Sequence, residues 1–196
     1  MRLASAVAVE ASTCKSSTPA AAEAVERVLR PYATPNGPFA TLGGYADVLS
    51  ALAAETPGLA ISLALGAPGI TDEALDTWRA HASAAHAALE EPISGRYEGC
   101  FVLRVETDRP AALPTVARLA RQFRSPEPVA LVVTAEPVDG QRHAAAAADD
   151  PRGLADSVAA VATEFGGTAG GTPTRATLSV DGDVSDGDLI AAVREA

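Results

Sequence analysis

Apolar residues follow two rhythms along this chain. Up to about residue 92 they recur at helical spacing; beyond residue 96 they gather into short continuous runs separated by helical stretches. Thr18-Pro19 supplies an N-cap and a first-turn proline, predicting a helix through Val25, Val28 and Leu29 that Pro31 helps to stop. Thr34–Gly44, rich in proline and glycine, reads as a loop, and Val48, Leu49 and Leu52 place a second helix over Tyr45–Ala54. Pro57–Leu65 fits either a short buried helix or a strand. Thr71-Asp72-Glu73 caps a long helix to about Glu90, with an apolar stripe of Leu75, Trp78, Ala82, Ala85 and Leu89.

Pro92, Ser94 and Gly95 mark the change of rhythm, so residues 1–95 read as a mainly helical region and 96–196 as a separate domain. There, Tyr97–Glu106 and Val129–Ala135 are predicted strands, Thr115–Phe123 a helix between them, and Leu154–Phe165 a helix ended by Gly166-Gly167. Ala144–Ala148 favours helix by propensity, but its place between Gly140 and Pro151 suits a short strand. Arg175–Val180 is a strand and Ser185–Glu195 a final helix, where Ser185 and Asp188 form a variant capping box. Strands alternating with helices give an α/β fold, a helical N-terminal region followed by a small mixed-sheet domain.

Composition narrows the setting. The 196 residues are 47% hydrophobic with slightly positive mean hydropathy, which excludes a disordered polyelectrolyte. No apolar run approaches the roughly 20 residues that span a bilayer, and the N-terminus is too weakly apolar for a secretory signal, so a cytoplasmic location without membrane partners is expected. Net charge is −10, Lys15 is the lone lysine against 14 arginines, and 44 residues are alanine. That pattern suits the salt-rich cytoplasm of a halophile, although a GC-rich genome produces the same bias. Cys14 and Cys100 are far apart and form no CxxC pair.

Several chemistries are missing. Lys15 has no glycine near it, so there is no P-loop, and no GxSxG elbow occurs. His81 and His86 stand about 140° apart around one helix, too far to share a zinc ion, and each is expected at a surface or half-buried position. His143 is alone. Asp181, Asp183, Asp186 and Asp188 resemble a calcium loop, but glycine comes one place late and Ala192 replaces the final glutamate. An acidic turn feeding a helix N-terminus accounts for them better.

Two features remain. The run Gly166-Gly167-Thr168-Ala169-Gly170-Gly171-Thr172-Pro173-Thr174-Arg175 lets backbone N–H groups approach an anion, with hydroxyls and Arg175 as further donors. It equally suits a helix C-cap followed by a flexible connector. Arg118, Arg121 and Arg124 line one side of a predicted helix, and residues 96–125 hold six arginines against three acids. A solvated helix face explains that patch as well.

The segment from Arg96 onward resembles the DHH-associated domain of RecJ-like phosphoesterases, through its element order, Phe123-Arg124-Ser125-Pro126-Glu127-Pro128, the strand VALVV and the later Gly-Gly turn. Gly37–Gly66 and the long helix are similar to the region linking the two lobes in haloarchaeal members. In that family a Gly-Gly-His motif followed by alanine lines the nucleic-acid groove; Gly170-Gly171-Thr172 with Ala176 fits that slot, with threonine in place of histidine. The Asp-His-His lobe that holds two metal ions in the family has no counterpart here, and no aspartate precedes Asp47.

The resemblance implies a non-catalytic module that grips single-stranded nucleic acid through Gly170, Gly171, Thr172, Thr174, Arg175, Arg118, Arg121, Arg124 and Ser125. Its expected partners are replication or repair proteins, or a second RecJ-like chain. No catalytic or metal-ligating residue is expected, and Mn or Mg only if a DHH lobe is supplied elsewhere. Two alternatives remain: the C-terminal part of a single-strand-specific 5′ exonuclease whose metal lobe is truncated or on another chain, and a nucleotide-binding phosphoesterase-like domain.

Overall fold

The computed structural model describes residues 9–10, 13, 23–25, 31–181 and 184–194. The chain divides into two compact units, residues 1–83 and 84–196. Of the predicted first helix, residues 23–25 are helical and the rest lies outside the described residues, as do Cys14 and Lys15.

The first unit is built on helices α1 (Leu42–Glu55), α2 (Pro57–Ala64) and most of α3 (Thr71–Glu90). Thr41 caps α1 by accepting a hydrogen bond from the Gly44 N–H, which draws Gly43 and Gly44 out of the expected loop and into the first turn. Pro57–Leu65 resolves as a helix because Pro57 occupies its first turn, where a missing N–H costs nothing. Val48, Leu52, Leu63 and Ala74 form the core, with Tyr45 and Trp78 packed around them. His81 corrects the surface expectation. It is 3% exposed, with Nδ1 2.9 Å from Glu55 Oε1. Its position three residues after Trp78 and four before Ala85 puts it on the apolar stripe of α3.

The second unit is a six-stranded mixed sheet: β1 (Ile93–Tyr97), β2 (Cys100–Val105), β3 (Val129–Thr134), β4 (Gln141–Ala148), β5 (Gly167–Thr172) and β6 (Arg175–Asp181), in the order β1-β2-β3-β4-β6-β5. β2 and β3 run parallel through a crossover containing a 3-10 turn (Pro110–Ala112) and α4 (Leu113–Phe123); the other pairings are antiparallel. Helices α5 (Leu154–Phe165) and α6 (Asp186–Arg194) complete the unit. On one face Val102, Leu131, Val133, Ala144, Ala146 and Leu178 pack beneath α5 and α6. On the other, Leu103, Val105, Ala130, Val132, Ala145 and Ala147 pack beneath α4 and the end of α3. Among the described residues, no helix is long and apolar enough to cross a membrane.

Two segments depart from expectation, and the β4 alanines settle an open alternative. Ile93–Tyr97 is an edge strand rather than a linker; its residues are almost all exposed, so it carries no apolar alternation to reveal it. Gln141–Ala148 is a full strand, its alanines buried between two layers despite their helical propensity. Gly166 caps α5 as expected, and Gly167–Thr172 is a strand and not a flexible connector. The capping box forms as expected: Ser185 Oγ accepts from the Asp188 N–H, and Asp188 Oδ2 accepts from the Ser185 N–H.

The segment from Ser125 to Pro128 is a knot of polar contacts. Ser125 Oγ donates to the Glu127 carbonyl at 2.8 Å and accepts from the Glu127 N–H at 3.1 Å. The Glu127 carboxylate accepts from Arg96 Nε and from the Gly99 N–H, latching the β1–β2 hairpin to the start of β3. The Arg96 hydrogen bond, reinforced by the Gly99 N–H, holds the Glu127 carboxyl below its ordinary 4.5. A carboxyl lowered by folding stabilises the fold above its unfolded pKa, and that contribution disappears as pH falls through the folded value. Glu127→Gln should therefore lower the melting temperature at pH 7, with the gap to wild type closing below pH 4.5. Melting curves across pH 3–7 check this, and a gap that stays constant as the pH is lowered contradicts it.

Candidate functional site

Alternation along β6 sets the geometry of the glycine-rich region. Ala176, Leu178 and Val180 point into the core beneath α5 and α6, so Arg175, Thr177 and Ser179 point to the opposite face. Their cross-strand neighbours on β5 are Thr172, Gly170 and Thr168, which share that face. There α4 covers β3 and β4 but leaves β6 and β5 open, and Thr168, Gly170, Thr172, Arg175 and Thr177 are all exposed. The result is an open floor of hydroxyls and backbone with one guanidinium at its end. Ser179 Oγ donates to Gln141 Oε1 at 2.7 Å, and the hydroxyls of Thr172 and Thr174 lie 3.4 Å apart.

The two glycines of the Gly170-Gly171 pair have different reasons to be there. A Cβ on Gly171 would stand 2.1 Å from the Arg175 carbonyl oxygen, and its φ of +150° lies where side chains are strained. Gly171 is thus required for β5 to approach β6. A Cβ on Gly170 would meet nothing within 4 Å, so it keeps the floor bare without being demanded by the fold. Thr174 is half-buried in the two-residue turn, and its carbonyl accepts from the Ala148 N–H at 2.9 Å. The Pro173 carbonyl accepts from the Arg152 N–H, also at 2.9 Å. The turn is therefore held in place by the β4–α5 connection, and Arg152, exposed beside it, is a cation that sequence spacing did not single out.

The arginine series on α4 divides. Arg121 is 21% exposed and fully engaged: Nε donates to the Pro128 carbonyl at 2.9 Å, and a terminal nitrogen pairs with Asp149 at 2.7 Å. Ser125 is buried in the turn described above. Both make their contacts inside the fold. Because Arg121 reaches Asp149, just beyond β4, that flank of α4 looks toward β4 and the strands past it. Arg118, three residues earlier, shares the flank and is half-buried, with no ion pair among the described residues. Arg124 is exposed at the C-cap.

Elsewhere the cations are committed. Arg104 and Arg142 converge on Asp186 at the N-terminus of α6, at 3.2 and 2.5 Å, and Arg194 Nε donates to the Glu98 carbonyl. His143, half-buried on β4, donates its backbone N–H to Thr134 Oγ1 at 3.2 Å. Cys100 is fully buried, and burial pushes its thiol up to about 11, leaving it protonated and inert. Among the described residues, no three His, Cys, Asp or Glu side chains gather as a metal site.

Comparison with known proteins identifies a family. Residues 92–195 match the family described as the C-terminal domain of the uncharacterized protein rrnAC1427. The uncharacterized protein rrnAC1427 of Haloarcula marismortui is 49% identical over 177 residues, covering 89% of this chain and 44% of that protein. The chain thus spans less than half the length of that relative. Among solved structures, the C-Ala domain of Aquifex aeolicus alanyl-tRNA synthetase gives a TM-score of 0.39 at 14% identity, over 53% of this chain and 99% of that one. The pGpG-specific phosphodiesterase PggH of Vibrio cholerae gives 0.41 at 13% identity, over 86% of this chain and 62% of that one. Likenesses this distant carry no weight for function.

Arg121 is expected to act in stability alone. Arg121→Ala should cost about 1–2 kcal/mol, the worth of a charge-assisted hydrogen bond with its ion pair. Urea unfolding checks this, and an unchanged midpoint rejects the structural assignment.

Proposed function

The chain belongs to the rrnAC1427 C-terminal-domain family, and from that premise we propose that its sheet domain is a non-catalytic module that holds the phosphates of single-stranded nucleic acid. The observation that carries this reading is the uncovered β5–β6 face, where Thr168, Thr172, Thr177 and Arg175 lie exposed beside the Arg118 flank of α4. Threonine hydroxyls can donate to phosphate oxygens, and guanidinium binds them in bidentate fashion. The resemblance to the RecJ-like family matches Gly170-Gly171-Thr172 to that family's groove motif, which supports the same ligand.

Charge alone cannot drive the binding. The net charge is −10, and for four phosphate contacts a tenfold rise in salt weakens single-strand binding roughly 600-fold. Directional hydrogen bonds on the open face would have to supply affinity in a salt-rich cytoplasm. With aromatics at 4%, base stacking adds little. The module is therefore a weak nucleic-acid holder that acts beside protein partners of replication or repair.

A second reading is favoured by one fact, that the chain spans 44% of its relative. In that reading the module positions a strand for a metal-bearing lobe in the remainder of a longer protein. Manganese-dependent degradation of a labelled strand by the longer protein, with none by this chain, favours that reading.

For the first reading, Arg175→Ala should weaken binding of a fluorescein-labelled single-stranded oligonucleotide about tenfold, the loss of one strong phosphate contact. Arg79→Ala, which removes an exposed partner of Asp76 in the other unit, should change it little. Equal losses in a polarisation titration reject the open-face assignment.

A further inference from the structure

The outer edge of β5 offers a different kind of surface. All six of its residues are exposed, and none is charged, proline or bulky. Natural edge strands are commonly blunted by lysine, proline, a bulge or a covering segment, because an open edge presents unpaired N–H and C=O groups to other chains. β5 has none of those side-chain guards.

Its register decides which groups are free. The two-residue turn Pro173-Thr174 makes Thr172 and Arg175 the pair that closes the hairpin by hydrogen bonds. Pairing then alternates, so the backbone groups of Thr168 and Gly170 point toward β6, and those of Gly167, Ala169 and Gly171 point outward. The outward set is symmetric about Ala169.

We propose that β5 pairs antiparallel with β5 of a second copy of this chain, across a two-fold axis at Ala169, continuing the sheet from one copy into the other. Gly167 then faces Gly171 of the second copy, and Ala169 faces its own equivalent. An isologous contact of this kind closes on itself and does not propagate. The uncharged, small side chains of Gly167–Thr172 allow the approach without repulsion or clash.

Charge complementarity selects a second copy over an unrelated strand. In this register the row at each end of the pairing reads Asp181, Gly166, then Thr172 and Arg175 of the second copy. Asp181 and Arg175 are both exposed and lie on the same face of the sheet, because they occupy odd positions of β6. The Asp181 carboxyl leans over β5, with Oδ2 4.0 Å from where a Cβ of Gly166 would stand. The row spans about 14 Å between the outer Cα atoms, and the long Arg175 side chain brings its charge within the roughly 8–10 Å over which charges interact at moderate salt. Symmetry makes the attraction twice over. This inference does not rest on nucleic-acid binding.

A six-residue strand pairing buries less than a standard interface, so association should be weak, in the range of tens of micromolar. Sedimentation equilibrium of the whole chain is expected to show a shift from 19.8 kDa toward twice that mass as concentration rises. Ala169→Pro removes an outward N–H without breaking a bond to β6, and should leave a monomer with unchanged circular dichroism. Arg175→Asp should weaken the dimer and Arg175→Asp with Asp181→Arg should restore it, a test that stands even where Ala169→Pro fails to fold. A wild-type monomer at all concentrations, or a dimer indifferent to these changes, overturns the proposal.

Discussion

The second unit depends on how thin its middle strand is. Ala144 and Ala146 of β4 enter the core beneath α5 and α6, while Ala145 and Ala147 enter the one beneath α4. A strand of methyl groups lets helices settle close on both faces of a sheet, with the larger side chains of β3 filling the space beside it. Interiors pack at crystal-like density, so a larger residue at any of these positions must displace a helix. The position of α4 follows from this, and with it the boundary between covered and open sheet. The β5–β6 face is exposed because α4 is seated over β3 and β4 and its width is spent there.

That dependence explains what the sequence disclosed and what it hid. Long elements with a clear apolar period, such as α3 and β3, were legible to within a residue or two, and so was the box made by Ser185 and Asp188. The alanines of β4 left helix and strand both open, because intrinsic propensity favours helix, and burial on two sides, a tertiary fact, decides for strand. β1 and β5 hid for the opposite reason. Edge strands with no buried face show no alternation, so their hydrogen-bonded neighbours alone define them. The glycine pair was visible, yet nothing in its spacing distinguishes Gly171, fixed by the approach of Arg175, from Gly170, which is free.

Counting arginines misleads in a related way. The concentration of positive charge over residues 96–125 looks like a binding surface, but much of it is consumed by the fold. Arg96 holds Glu127, Arg121 holds Asp149 and Pro128, and Arg104 shares Asp186 with Arg142. In a protein with so little lysine, guanidinium serves as the structural cation, since one planar group can satisfy a carboxylate and a carbonyl together. The cations left over say more than the total: Arg118, Arg124, Arg152 and Arg175 make no ion pair among the described residues.

Three of those four gather at one end of the sheet for a topological reason. β4 ends at Ala148, β6 begins at Arg175, and α4 ends just before β3 begins, so three of the chain's reversals of direction, besides the β1–β2 hairpin, fall at that end. Each reversal places an arginine near the turn: Arg124 after α4, Arg152 after β4, and Arg175 after the β5–β6 turn. The bonds from Ala148 and Arg152 to the carbonyls of Thr174 and Pro173 hold two of these reversals together. A patch assembled from three separate loops has no sequence motif, because no single segment contains it. The acidic remainder of the molecule, with a net charge of −10, makes this end of the sheet a local exception to the overall charge.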